Sequence, residues 1–104
     1  MTSKQKTVIR SPWGVFQGNP ADPDYHEKLL KHCIAQLKYY LRHRRSPDPA
    51  KTRDDLEGYE EVLAAGRPAI RRFFELKESA RDRGFALKNK DVIALMKSQG
   101  EWRE

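Results

Sequence analysis

DYHEKLLKHCIAQLKYYLRHRR, residues 24–45, is the stretch whose periodicity decides the fold. At 100° per residue, Leu29, Leu30, Cys33, Ile34, Leu37, Tyr40 and Leu41 share one broad apolar face. Lys28, Lys31, Lys38, Arg42 and Arg45 gather in an adjacent stripe, and His32, Gln36, Tyr39 and His43 form a third row. The spacing predicts an amphipathic helix over residues 25–45. Asp22 or Asp24 can cap its start, and the cations of RHRR suit the negative end of its dipole.

Toward the C-terminus, SPDPAK breaks the chain with two prolines. Thr52, with Asp55 three residues on, reads as the capping box of a second helix over 52–65. Leu56, Tyr59, Val62 and Leu63 point inward there, and Asp54, Asp55, Glu57, Glu60 and Glu61 make an acidic outer face. AAGRPA reads as a stop and restart, with one kinked helix as the alternative. A third helix, 68–83, has Ile70, Phe73, Phe74, Leu76 and Ala80 apolar and Arg67, Arg71, Arg72 and Arg81 basic. Asn89 reads as the cap of a fourth helix, 89–99, with Val92, Ile93, Leu95 and Met96 apolar; Gly84 and Gly100 close the last two helices. Trp102 lies within reach of the final turn.

Toward the N-terminus, residues 1–24 carry Pro12, Pro20 and Pro23 and exclude a regular helix. KTVIR has strand character without an evident partner. This segment reads as an extended arm whose Trp13, Val15 and Phe16 dock on a helical body; the alternative is an arm that orders on binding a partner. The expected fold is all-α: a small bundle of three to four helices over 25–104 behind an extended arm over 1–24. At 104 residues, one domain is expected. No apolar run approaches the ~18 residues of a membrane span, and no secretory leader is apparent, so the expected setting is cytoplasmic, without a membrane.

Composition bounds the function. Formal net charge is +6, yet residues 46–66 hold six carboxylates against Lys51 and Arg53. A basic chain with one acidic segment points to nucleic acid or an acidic protein surface as partner. Lys28, Lys31, Lys38, Arg42, Arg44 and Arg45 are the candidate phosphate contacts, with Arg71, Arg72, Lys88, Lys90 and Lys97 in support. Trp13, Phe16, Tyr39 and Trp102 are candidate protein-interface residues, since aromatics are enriched at interfaces. Such an interface would make the chain an adaptor or a homo-oligomeric assembly subunit. In ARDRGFALKNKDVIALMKSQG, residues 80–100, Ala80, Gly84 and Phe85 resemble the turn of a DNA-reading helix-turn-helix. Six residues separate Phe85 from Val92, however, and the stretch reads better as a packing hairpin.

His26, His32, Cys33 and His43 lack the close-pair spacing of a metal site. The lone Cys33 excludes an internal disulfide and reads as a buried thiol. The carboxylates of DDLEGYEE read as a solvated face, and no phosphate-binding glycine loop or nucleophile elbow occurs. The expectation is a non-enzymatic protein with no cofactor and no metal.

Overall fold

The computed structural model describes residues 7–102. The first six residues of the expected arm and the last two of the helical domain lie outside that range. Two strands, β1 (Thr7–Ser11) and β2 (Gly14–Gly18), precede four helices: α1 (Tyr25–Arg42), α2 (Pro49–Ala65), α3 (Arg67–Asp82) and α4 (Asn89–Ser98). The chain is thus mostly helical, but the arm is not merely extended. TVIRS pairs antiparallel with GVFQG across a Pro12–Trp13 turn, with Ile9 opposite Phe16 and Arg10 opposite Val15. β2 lies against α1 and buries Phe16, which is 2% exposed, beside Tyr25 and His32.

The helices form one core. Leu30 and Ile34 of α1, Val62 of α2, Ile70 and Phe73 of α3, and Val92 and Met96 of α4 are among its buried side chains. α1 packs on α2 and α3, α2 on α3 and α4, and α3 on α4. No helix among the described residues is long and apolar enough to cross a membrane.

Helix ends differ from expectation in instructive ways. α2 starts three residues early because Asp48, not Thr52, caps it: its carboxylate accepts from the Lys51 backbone N–H at 3.2 Å, and Pro49 takes the first helical position. The Thr52 hydroxyl pairs instead with that of Ser46. At the start of α1 neither Asp22 nor Asp24 caps with its side chain onto the first turn; Asp22 accepts from the Asp24 N–H instead. Gly66, at φ 102° and ψ 175°, separates α2 from α3, so these are two helices and not one kinked rod.

Asn89 was expected as a cap and serves in the core. It is 2% exposed, its Nδ2 donates to the Asp55 carbonyl at 2.8 Å, and its Oδ1 accepts from Lys77 Nζ at 2.6 Å. One amide thereby ties α2, α3 and α4 together. Such a buried amide is tolerated because its polar ends find partners. Gly58 on α2 makes room for it, since a Cβ there would lie 2.7 Å from Asn89 Cβ.

Candidate nucleic-acid interface

The cations singled out in the sequence divide into two groups once their neighbours are in place. Lys28 pairs with Asp22 at 3.0 Å, Lys31 with Glu27 at 3.3 Å and Lys38 with Glu60 at 3.4 Å. Arg72 pairs with Glu75 and Glu101 at 3.4 and 3.1 Å. Lys90 reaches both Asp54 and Glu57, at 2.9 and 3.0 Å, and Lys97 reaches Glu61 at 2.9 Å. The acidic face of α2 therefore meets cations of α1 and α4. The cations of α3 turn elsewhere: Arg67 pairs with Asp24 and Glu27 at the start of α1.

The titration of these groups follows the pairing. Hydrogen bonds to Asp54 and Glu57 raise the Lys90 ammonium, and the bond to Glu101 raises the Arg72 guanidinium. The backbone N–H of Asp24, then Lys28, holds the Asp22 carboxyl below its ordinary value. Lys31, then Arg67, does the same for Glu27. Each exposed pair contributes little to stability, because water and salt screen it. Its electrostatic consequence is larger: a phosphate approaching Lys90 meets two carboxylates with it.

Arg42, Arg44, Arg45, Arg71 and Lys88 form no ion pair among the described residues. Arg71 lines a cavity with His26 at the start of α1. Arg42 is sixteen residues along the same helix, about 24 Å away at 1.5 Å per residue. Lys88 precedes α4. The expected single set of contacts is therefore split, and only Arg42, Arg44 and Arg45 come together.

Their backbone explains the grouping. The Arg45 N–H donates to the Tyr40 carbonyl at 2.8 Å, the Arg44 N–H donates to that of Leu41 at 3.3 Å, and Arg44 has φ 53°. This is a Schellman ending with a left-handed residue just past the cap. α3 and α4 end the same way, with Phe85 donating to Ala80 and Glu101 donating to Met96. There the left-handed residues are Gly84, at φ 86°, and Gly100, at φ 72°. α1 places an arginine where its sister helices use glycine, despite the clash a Cβ meets in that conformation.

Aromatic rings stand beside the Arg45 guanidinium. The hairpin turn delivers Trp13 onto α1, where its Nε1–H donates to His32 Nε2 at 3.0 Å. Its ring lies 5.6 Å from Tyr39 and 5.4 Å from Tyr40. His43 lies 4.2 Å from Tyr39, and the Arg45 guanidinium stands 5.8 Å from the Tyr39 ring centre. Arg10, opposite Val15 near the hairpin turn, is exposed and forms no ion pair among the described residues. No protein-family model, curated protein or solved structure matches this chain.

Of the residues expected at a protein interface, Phe16 is buried and cannot meet a partner in this conformation. Trp13 and Tyr39 are half-buried against each other, and half-buried Trp102 packs on the core with the Lys97 ammonium 5.2 Å from its ring. Sequence reasoning missed Tyr40 and His43 as members of the α1 cluster. The row His32, Gln36, Tyr39, His43 was a signal, but its partner Trp13 arrives only through the hairpin.

Proposed function

We propose that this is a small, basic, non-enzymatic cytoplasmic protein that binds nucleic acid at the C-terminal end of α1, as an accessory of a nucleoprotein assembly. Arg42, Arg44 and Arg45 hold phosphates, and the Tyr39–Trp13–His43 cluster offers ring surface to unpaired bases, which favours single strands over duplex. The observation that carries this reading is Arg44: an arginine kept at a glycine-type position, between two others that, like it, form no ion pair among the described residues. Left-handed arginine costs stability, and backbone strain of this kind concentrates at functional sites.

The test is fluorescence anisotropy of a random single strand and a random duplex across a salt series. Three phosphate contacts give a slope of log affinity against log salt of about −2 on the single strand. Replacing Arg42, Arg44 and Arg45 together with Gln removes most of that slope. Replacing Lys90 and Lys97 with Gln changes it little, because both already face α2 carboxylates. Absence of binding at low salt defeats the proposal, as does equal loss in the two variants.

A second reading, a protein-docking subunit, is favoured by one feature. Val8 and Val15, 44% and 58% exposed, stand on the hairpin face opposite Phe16. Light scattering that shows a stable oligomer, dispersed by Val8→Thr with Val15→Thr, would favour it.

A further inference from the structure

On the side of the bundle where α1, α2 and α3 meet the 83–88 connection lies a cavity of about 330 Å³, lined by Leu29, Phe74, Phe85 and Leu87, by Lys77 and Arg81, and also by Tyr59, Glu78 and Ala86. We propose that this cavity binds a small amphipathic carboxylate, a single ring or short chain bearing one acid group, with Lys77 and Arg81 holding the acid and the apolar side chains holding the body. The site is separate from the α1 cluster and does not depend on it.

The volume sits at the small end of ligand pockets, roughly 300–1,000 Å³, which limits the body to one ring or a short chain. The mixture of an apolar lining with a few converging polar groups is the usual composition of such pockets. Lys77 and Arg81 are one helical turn apart and so lie on the same face of α3. Neither forms an ion pair among the described residues. The Lys77 ammonium is fixed by its 2.6 Å bond to Asn89 and stands 5.5 Å from the ring centres of both Tyr59 and Phe73. That bond uses one of its three N–H groups. Burial lowers the Lys77 ammonium from its ordinary value while the charge of Asp55 supports it, so a second, nearer carboxylate is well placed to relieve the desolvation. Glu78 shares the lining, and the two cations outnumber it.

Phe85 completes the argument. It follows Gly84 and is 61% exposed, a large apolar ring at the mouth of an apolar cavity. A bound body would cover part of that ring, which water otherwise surrounds.

The experiment titrates the isotope-labelled full chain with 4-phenylbutyrate and, separately, with the neutral 4-phenylbutanol, following backbone amide shifts. Saturable shifts confined to the Lys77–Arg81 and Phe85–Leu87 segments are expected, with the acid binding about tenfold tighter than the alcohol. Arg81→Gln weakens the acid severalfold and leaves the alcohol unchanged. Phe85→Ser weakens both alike. Lys77→Met abolishes the acid's advantage; because Lys77 also anchors Asn89, Arg81→Gln decides the matter if that variant fails to fold. Scattered or non-saturating shifts, equal affinity for acid and alcohol, or wild-type behaviour of Arg81→Gln each overturn the proposal.

Discussion

Arg44 and Gly58 show how one residue can carry opposite signs for stability and for purpose. Replacing Arg44 with Gly relieves the left-handed strain, so chemical denaturation is expected to show a gain of about 0.5–1 kcal/mol, while affinity for a single strand falls. A variant that gains stability without losing affinity removes Arg44 from the interface. Gly58 runs the other way. An Ala in an exposed helix interior is better than Gly by about 1 kcal/mol. Here the new methyl meets Asn89 Cβ at 2.7 Å, an atom fixed by the α4 backbone, so Gly58→Ala is expected to destabilise by about 1–3 kcal/mol. A rise in the denaturation midpoint of that variant would show that α4 does not press on α2 at this point. Neither residue was legible from sequence. Arginine is a good helix former, so RHRR reads as the helix running on to residue 45, whereas Gly84 and Gly100 announced their turns plainly. Gly58, alone in a helical pattern, gave no hint of the neighbour that requires it.

Among the elements, the helices were readable and the hairpin was not, for a physical reason. α1 and α3 bury continuous 3.6-residue faces, and that signal accumulates over eighteen and sixteen residues. β1 and β2 have five residues each, and the Pro12–Trp13 connection lacks the Asn-Gly chemistry that marks a tight hairpin. An isolated two-stranded ribbon is also marginal in water; this one is held by Phe16 and Trp13 against α1. Docking through Trp13 can therefore be measured by itself. Trp13→Phe keeps a ring beside Tyr39 and Tyr40 but deletes the donor to His32, and is expected to cost about 1 kcal/mol. Trp13→Ala also removes the packing and is expected to cost about 2–3 kcal/mol, with hydrogen exchange rising across Thr7–Gly18. Unchanged exchange in the strands of the Ala variant would mean that β2 holds α1 through Phe16 alone.

At the scale of the molecule, charge and burial are set by which helices touch, and no linear reading supplies that. Packing gives the α2 carboxylates to cations of α1 and α4, and leaves the end of α1 positive. The same packing places Cys33, Tyr59 and Lys77 around one partly dry centre, and its titration is a global property. Burial pushes the Tyr59 phenol up to about 12 and raises the Cys33 thiol, so both stay neutral in the fold after their unfolded counterparts ionise. Their stabilising contribution is complete below the unfolded values, 9.0 for the thiol and 10.0 for the phenol, and is lost as pH rises through the folded ones. Lys77 has the opposite sign: burial lowers it, so its cost disappears as pH rises to 10.5, offsetting part of that loss. The Tyr59 part of that loss falls between pH 10.0 and about 12. It amounts to about 1–2 kcal/mol, less than the full shift implies because part of the ring faces water. Urea midpoints across this range should fall more steeply for the wild type than for Tyr59→Phe, whose ring has no proton to lose. Parallel curves would show that the phenol ionises as freely in the folded chain as in the unfolded one, and that this centre is open to water.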